Sequence, residues 1–462
     1  MPARIKTLVM IDDTIAAIAT PLGEGGLAVI RLSGEQALAI AEKCFNPIGN
    51  SSAKPTAAGT HTLHYGKIVH EKREIDEVLL SVLRAPRTFT KEDTVEITCH
   101  GGLLASQSVL KAVLAAGARS ADSGEFTRRA FLNGRIDLAQ AEAVVDVIHA
   151  RTDLALIAAN EQLAGKLSQH INQLRDDLMQ TLAHIEAHLD FPDEDIAPES
   201  MTQLLARLDA VLAFIDELLA TANEGQILRQ GIRAAIVGRP NVGKSSLLNQ
   251  LLGHERAIVT ATAGTTRDTI EETANVRGIP VVFIDTAGLR KSADAIEAEG
   301  IQRSYKSVAT ADLILHVLDS SEELRDEDQK YIDEFDGKKC ILIANKIDQP
   351  LQLDLSGYEY IETCALNGGG IETLKEAIRT TVWSGEIRAD MLPAMINARH
   401  QDALRRAYTA LEQSLAAGRA AANLELVAMD LRIAVNAVGE VVGKTSTEDL
   451  LDSIFSQFCI GK

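Results

Sequence analysis

The sequence predicts a multidomain protein with an N-terminal α/β domain, an all-α domain built from two chain segments, and a Ras-like P-loop α/β domain inserted between those segments. Three observations lead to this fold class. With 462 residues, the chain is long enough for about three domains. Short apolar β runs alternate with amphipathic helices in one block of the sequence. The segments before and after this block are rich in Ala and Leu and show helical periodicity. Within that block, a glycine-rich loop joins a strand to a helix.

Composition restricts partners and location. The net charge of −19 argues against a large nucleic-acid footprint, although it does not forbid a local basic site. The five cysteines form no Cys-x-x-Cys pair, so neither a disulfide framework nor a structural zinc site is expected. No apolar stretch reaches about 18 residues, and Asp12 and Asp13 interrupt the N-terminal apolar run. We therefore expect a cytoplasmic protein without a membrane anchor.

Local composition and hydrophobic periodicity divide the chain into four consecutive parts. Residues 1–134 are expected to form the α/β domain, and residues 135–230 the first part of the helical domain. Residues 231–385 are expected to form the P-loop domain, and residues 386–462 the second helical part. Because neither helical flank alone looks like a complete bundle, we expect the two to pack together.

Each part has predicted elements. In the first part we expect a loop over 46–59, helices over 35–45 and 104–115, and strands over 27–32, 78–83 and 95–99. The first helical part should consist of two long segments, divided at residues 191–195 by Pro192. Buried parallel strands are expected in the P-loop domain over 234–237, 281–284, 313–318 and 341–344. The last part should be helical over 396–442 and 447–458.

The glycine-rich loop is a complete phosphate-binding motif. Residues 238–245 read Gly-Arg-Pro-Asn-Val-Gly-Lys-Ser, after an apolar strand and before a helix over 246–252. The glycines let backbone N–H groups converge on phosphate oxygens at a helix N-terminus. Lys244 should reach the β- and γ-phosphates, and Ser245 should hold Mg²⁺.

Three later motifs predict that the nucleotide is GTP. Asp285 ends a strand and can bind Mg²⁺ through water, while the Gly288 N–H can sense the γ-phosphate. After another strand, Asp348 can accept from guanine N1–H and N2–H, which adenine cannot offer. The run Cys364-Ala365-Leu366 fits the loop whose backbone meets guanine O6. The predicted nucleotide-contacting set is Asn241, Val242, Gly243, Lys244, Ser245, Ser246, Thr260, Ala261, Thr262, Ala263, Gly264, Thr265, Thr266, Asp285, Thr286, Ala287, Gly288, Asn345, Lys346, Asp348, Cys364, Ala365 and Leu366.

The hydrolytic machinery departs from the Ras pattern. Leu289 stands where Ras-like enzymes carry the glutamine that orients water. Asn241, with the loop around Thr260, can instead cradle a monovalent cation. The predicted K⁺ ligands are Asn241, Thr260, Thr262 and Thr265, and Thr266 is expected to close on Mg²⁺. Glu297 can reach the water through a second water; the alternative is an ordinary solvated helix carboxylate.

These residues, with further motifs outside the P-loop domain, resemble the MnmE (TrmE) family of tRNA-modification GTPases over essentially the full length. The N-terminal stretch 20–26 and the run Glu96-Ile-Thr-Cys-His100-Gly-Gly102 match family motifs. So do residues 131–142 and the C-terminal run 458–462. Ser123 stands before the Gly-Glu-Phe-Thr motif of residues 124–127, where the family usually has proline.

The resemblance implies an activity and partners. The family's N-terminal domain dimerises and binds a tetrahydrofolate derivative, in its 5-formyl or 5,10-methylene form. With the flavoprotein MnmG, which carries the FAD, the family forms a heterotetramer. Together they install a carboxymethylaminomethyl or aminomethyl group on C5 of wobble uridine 34 of certain tRNAs. The G domains dimerise with K⁺.

The resemblance also assigns residues. It places the catalytic glutamate on Glu297 and the folate contacts on Arg31, Glu96, Arg135 and Lys462. Many relatives carry lysine where this chain has Arg135, which keeps the charge but changes the geometry. Without the family, the alternative is that Arg31 and Glu96 form an ordinary salt bridge within the domain.

Two alternative functions remain at this point. One is a ribosome-assembly or signalling GTPase that only switches partners, which the helical, non-basic C-terminal region disfavours. The other is a folate-dependent transferase that uses GTP only for assembly. Folate binding would exclude the first, and dependence of tRNA modification on GTP turnover would exclude the second.

Overall fold

The computed structural model describes residues 13–49, 54–190, 201–253, 272–284, 308–335, 337–383, 395–420 and 424–462. These residues form two compact units. The first contains the chain up to Val145 together with Val442–Lys462, and the second contains Asp146–Val441. Among the described residues, no helix is both long and apolar enough to cross a membrane.

The elements are numbered in chain order. The strands are β1 (Ile15–Ile18), β2 (Leu27–Ser33), β3 (Phe45–Pro47), β4 (Thr62–His70), β5 (Arg73–Leu83), β6 (Thr94–His100), β7 (Arg119–Ser120), β8 (Ile232–Val237), β9 (Glu272–Val276), β10 (Ile279–Phe283), β11 (Leu313–Asp319), β12 (Cys340–Asn345) and β13 (Tyr360–Thr363). The helices are α1 (Ala37–Cys44), α2 (Leu103–Ala115), α3 (Glu125–Leu132), α4 (Leu138–His149), α5 (Asp153–Leu163), α6 (Lys166–Asp190), α7 (Met201–Ala220), α8 (Ala222–Gln230), α9 (Lys244–Leu252), α10 (Asp326–Glu334), α11 (Ile371–Val382), α12 (Ala398–Arg419), α13 (Leu424–Val441) and α14 (Glu448–Phe455).

The first unit is built on a seven-stranded sheet of order β3-β4-β5-β6-β2-β1-β7. Its ladders are antiparallel except for the short parallel pair β1–β7. Alternating residues of β2 and β6, such as Ile30 and Ile97, enter a core that also contains residues of α1 and α2. The intervening Arg31 and Glu96 therefore point to the other face, because successive side chains of a strand alternate.

The C-terminal segment belongs to this first unit. Leu451, Ile454 and Phe455 of α14 share a buried cluster with Ala130 of α3 and Leu138 of α4. The sequence assigned the whole stretch 386–462 to the helical domain, and in the structure the residues from Val442 onward group with the first unit. This grouping arises because the apolar face of α14 is buried against partners more than 300 residues away, which a helical sequence pattern alone does not specify.

The second unit contains a bundle formed by helices from both flanks of the P-loop domain. Helix α12 packs on α13 and α7, and α6 packs on α13 and α7. Helix α6 buries the expected stripe at Leu174, Leu178, Leu182 and Ile185. The two flanks therefore do pack together, as predicted.

The helical flanks contain more breaks than expected. The first predicted segment is divided into α4, α5 and α6, and the second into α7 and α8. The Thr152 hydroxyl accepts from the Ala155 N–H at 3.2 Å and caps α5. Gly165, with φ of +87°, separates α5 from α6. The expectation of two uninterrupted segments was wrong because local caps override the Ala/Leu texture.

The P-loop domain has a six-stranded sheet of order β13-β12-β11-β8-β10-β9. All ladders are parallel except β9–β10, which is an antiparallel edge pair. The four predicted strands are present as β8, β10, β11 and β12, and every residue of β11 is buried. The parallel arrangement brings the carboxyl ends of β8, β11 and β12 to one edge, where ligands bind in open α/β sheets.

Candidate functional site

The phosphate loop runs from the end of β8 into α9, and its backbone is held close to the neighbouring strands. Gly238 has φ of +140°, and a Cβ there would lie 2.2 Å from the Val317 carbonyl oxygen. Gly243 has φ of +101°, and its Cβ would lie 2.2 Å from Asn345 Nδ2. Asn241 adopts φ of +63°, a left-handed conformation unusual for a residue other than glycine. Both glycines are therefore required by the close approach of β11 and Asn345.

Lys244 begins helix α9, and its ammonium group folds back over the loop. Its Nζ donates to the carbonyl oxygens of Gly238 and Arg239, at 2.7 and 2.6 Å. Burial lowers the pKa of Lys244 to about 8. A bound phosphate would place negative charge beside the Lys244 ammonium group and stabilise its protonated form. This is the phosphate-binding role that the motif predicts for Lys244.

Asn345 connects the base-reading loops to the phosphate loop. Its Nδ2 donates to the Val242 carbonyl at 2.8 Å. Its Oδ1 accepts from the Thr363 hydroxyl at 3.2 Å and from the Ala365 N–H at 3.0 Å. Because Asn345 is only 2% exposed, losing it would leave buried partners unsatisfied.

The other residues of the predicted guanine reader are held in place by neighbouring side chains. Lys346 Nζ lies 2.5 Å from Asp319 Oδ2 at the end of β11. Burial would raise the pKa of Asp319, but hydrogen bonds from Lys346 and Ser321 hold it below its ordinary value. The Cys364 thiol donates to Asp348 Oδ1 at 3.1 Å. Asp348 is exposed at the sheet edge, where its carboxylate can meet a base.

Arg239, within the phosphate loop, has a role that the sequence analysis missed. Its Nε lies 3.0 and 2.8 Å from the two carboxylate oxygens of Asp328, which is only 1% exposed. Its guanidinium also lies 2.9 Å from Glu322. The segment from Asp319 to Asp328 thus touches both Lys346 and Arg239. In the sequence, the role of this segment was indicated only by its position after a strand that ends at the ligand-binding edge of the sheet.

Several predicted nucleotide residues lie outside the described residues. These are Thr260, Ala261, Thr262, Ala263, Gly264, Thr265, Thr266, Asp285, Thr286, Ala287, Gly288, Leu289 and Glu297. The described part of the predicted set is assembled around the carboxyl ends of β8 and β12. Val242 is buried, Ser245 and Ser246 lie in the first turn of α9, and Leu366 is 85% exposed at the rim.

A second cluster lies on the first unit, on the sheet face that α1 and α2 leave uncovered. Arg31 and Glu96 are direct partners across the β2–β6 ladder, with Nε 2.8 Å from Oε1. The Arg31 guanidinium also donates to the Gly461 carbonyl at 3.4 Å and lies 5.7 Å from the centroid of the Phe126 ring. Both charged side chains are partly exposed, at 22% and 30%.

The C-terminal residues are seated beside this pair by backbone contacts with the start of α3. Ile460 bridges Ser123, and the Gly124 N–H donates to the Cys459 carbonyl at 3.4 Å. The Phe126 N–H donates to the Lys462 carbonyl at 3.2 Å. Three of the four predicted folate contacts, Arg31, Glu96 and Lys462, are therefore brought together.

Arg135 lies on a different wall. Its guanidinium lies 5.0 Å from the centroid of the Phe89 ring. Among the described residues, it makes no hydrogen bond or ion pair with Arg31, Glu96 or Lys462. Phe89 packs against the buried cluster that contains Phe126, so one buried cluster lies behind the two places.

Comparison with known proteins gives a consistent family. The model described as MnmE helical domain matches residues 138–459, and the model described as GTP-binding protein TrmE N-terminus matches residues 14–135. A tRNA modification GTPase MnmE from Geobacillus kaustophilus is 47% identical over 460 residues, covering 97% of this chain and 99% of that protein. Its counterpart from Lactococcus lactis subsp. lactis is 45% identical, covering 99% and 100%. The G domain of the T. maritima FeoB iron transporter aligns at 28% identity with a TM-score of 0.24, covering 32% of this chain and 98% of that one.

Proposed function

This chain belongs to the MnmE (TrmE) family, and from that premise we propose that it is a GTPase whose turnover drives the modification of tRNA. The observation that carries the GTPase part is the Asn345 network, which joins a guanine reader to a phosphate loop at one sheet edge. In full, the proposed reaction adds a carboxymethylaminomethyl or aminomethyl group to C5 of wobble uridine 34. The carbon comes from a tetrahydrofolate derivative, and the partner is an MnmG-like flavoprotein.

In this proposal, the described residues bind GTP as follows. Asp348 accepts from guanine N1–H and N2–H, while Asn345 and Lys346 hold its loop against the phosphate loop. Lys244 exchanges its two carbonyl contacts for β- and γ-phosphate oxygens. This exchange is favourable because an ammonium–phosphate contact is charge-assisted.

The start of α9 fits a magnesium site. The Ser245 hydroxyl follows Lys244 directly, at a helix N-terminus that also faces the phosphates. We propose that Ser245 and Thr266 hold Mg²⁺, with Asp285 acting through water. When bound, the ion neutralises charge on the β- and γ-phosphates.

For hydrolysis, we propose potassium and a glutamate in place of the missing glutamine. Asn241 is exposed and left-handed, so its amide oxygen is available on the outer side of the phosphate loop. With Thr260, Thr262 and Thr265 it would hold K⁺, and Glu297 would orient the attacking water. The positive charge of K⁺ beside the phosphates would stabilise the negative charge of the transition state, as an arginine finger does in other GTPases.

For one-carbon transfer, we propose that the Arg31–Glu96 pair binds the pterin of the folate. A planar guanidinium and an adjacent carboxylate offer donors and acceptors of the kind a pterin edge requires. Phe126 supports Arg31 from one side, and the seated C-terminus places Lys462 nearby. Arg135 would contact a more distant part of the same ligand.

The uncovered sheet face also supports a homodimer. Leu63, Tyr65 and Leu79 are 61%, 49% and 39% exposed, and ladder register puts them on the face that carries Arg31 and Glu96. An exposed apolar patch of this kind is typical of a protein interface. We propose that two copies pair through this face and join the MnmG-like partner in a heterotetramer that acts on tRNA in the cytoplasm.

Mass analysis of wobble uridines tests the proposed function. Cells lacking this protein should lose the C5 group from the affected tRNAs, and the wild-type gene should restore it. Lys244→Ala, which removes the phosphate-binding ammonium, should fail to restore it. An unchanged uridine pattern in the deletion strain would contradict the tRNA-modification role. Restoration by Lys244→Ala would show that the modification does not depend on GTP bound at this phosphate loop.

A further inference from the structure

A cavity of about 520 Å³ opens on the first unit beside Phe89. Four of its lining residues are basic, namely His61, Arg87, Lys91 and Arg135. Its lining includes no aspartate or glutamate. We call it the Phe89 cavity. Its volume lies within the range of about 300–1,000 Å³ typical of small-molecule sites.

Among the described residues, no carboxylate neutralises the cations of the Phe89 cavity. In the part of the chain that the structure describes, Lys91 Nζ donates to the backbone carbonyls of Asn133 and Gly134, at 3.1 and 2.8 Å. Arg135 rests on the Phe89 ring. Within the described residues, Arg87 has neither an ion-pair nor a hydrogen-bond partner. In a protein of net charge −19, uncompensated cations around a concavity concentrate anions there.

The backbone around the cavity is also unusual. His61 and Lys91 both have φ of +59°, in the left-handed region that side chains other than glycine rarely adopt. Such conformations tend to be kept at ligand-binding sites, where the surrounding structure holds them. Two of them line the same cavity.

The cavity and the Arg31–Glu96 pair rest on one buried cluster of the first unit. Phe89, which stacks under Arg135, packs against the cluster containing Phe126, and the fully buried Phe126 lies under Arg31. Because both places rest on this cluster, the tail of a ligand whose ring system lies at Arg31 and Glu96 could reach the cavity.

We propose that the Phe89 cavity binds the poly-γ-glutamyl chain of the folate, so that the protein prefers polyglutamylated over monoglutamylated cofactor. This inference rests on the folate binding proposed above. Each γ-linked glutamyl unit adds one carboxylate, and Arg87, Lys91 and Arg135 provide donors for a short run of them. RNA phosphates are the less suitable occupant, because an RNA backbone is bound along an extended basic groove, whereas these cations surround a single cavity of about 520 Å³.

The experiment compares binding of 5-formyltetrahydrofolate carrying one glutamate with binding of the form carrying five, by isothermal titration of the full-length protein. Partly exposed charge contacts are individually weak, so two new contacts of about threefold each should tighten binding of the pentaglutamate about tenfold. Arg87→Ala should reduce that gain to about threefold without changing monoglutamate affinity, since Arg87 makes no contact that the change would break. Arg87→Ala with Lys91→Ala should abolish the gain. Lys111→Ala on α2, an exposed lysine away from the cavity, is the matched control and should keep the tenfold gain.

The outcomes separate this inference from the proposed function. If both folates bind equally, the cavity assignment is overturned while folate binding stands. If neither binds, both fall together. If Arg87→Ala leaves the glutamyl preference intact but weakens binding of unmodified tRNA, the cavity serves RNA and the inference is refuted.

Discussion

The buried pair between Arg239 and Asp328 offers a direct test of how the phosphate loop is held. Asp328→Asn keeps the side-chain volume but removes the charge from a carboxylate that is 1% exposed. Breaking a buried ion pair by removing one partner costs about 3–5 kcal/mol. Glu322, half-exposed and 2.9 Å from Arg239, would still pair with the guanidinium. We therefore expect a smaller loss, about 2–3 kcal/mol.

Differential scanning calorimetry of the full-length protein measures this loss. The relevant transition is the one that GDP shifts upward, because a ligand that binds only the folded state stabilises the domain that holds it. A loss of this size should lower that transition by about 5–10 °C. Asp326→Asn is the matched control, since it makes the same charge change on the same helical turn at an exposed residue with no ion-pair partner among the described residues. Equal transition temperatures for the two variants would refute the assigned role of Asp328.

Four further predictions follow from the sites. GTP hydrolysis should be much faster in K⁺ than in Na⁺ at equal ionic strength, and equal steady-state rates would exclude the proposed cation. Asp348→Asn should exchange guanine for xanthine preference in nucleotide-binding titrations, whereas retained guanine selectivity would show that another group reads the base. Arg31→Ala should weaken folate binding at least tenfold, because it removes the planar donor opposite Glu96; unchanged affinity would place the pterin elsewhere. His316, fully buried, has its pKa lowered to about 4, chiefly by desolvation and also by Lys244. Since the unfolded chain takes up this proton near pH 6.5, each pH unit below that value should cost about 1.4 kcal/mol of stability until about pH 4. His316→Phe should remove that part of the pH dependence of thermal unfolding, and an identical pH profile would show that His316 does not titrate in this range.

Much of the fold could be predicted from the sequence because its signals are local. The strands of the P-loop domain appear where apolar runs predict them, since a strand buried on both faces needs a continuous run. The phosphate loop and the guanine reader meet because parallel strands bring their carboxyl ends to one edge. Arg31 and Glu96 pair across β2 and β6, as the salt-bridge alternative predicts, while their folate contacts stay a prediction of the family resemblance.

What could not be predicted depends on contacts distant in sequence. Arg239 and Asp328 are far apart along the chain, and no spacing rule relates them. The placement of α14 on α3 depends on complementary apolar surfaces. The helix breaks at Thr152 and Gly165 have local causes, but the surrounding sequence is rich in Ala and Leu and so predicts a continuous helix. A single capping residue can end a helix in spite of a high average helix propensity.

The three hydrogen bonds of Asn345 have a consequence for how nucleotide preference can diverge. Asp348 is exposed, and among the described side chains its one hydrogen-bond partner is the Cys364 thiol. Its replacement therefore disturbs little of the surrounding structure. Asn345 holds three loops at once, and any replacement would weaken the phosphate loop and the base-reading loops together. Under the proposed assignment, base preference can therefore change by replacing Asp348 alone, whereas the amide at position 345 is a structural requirement of the whole pocket.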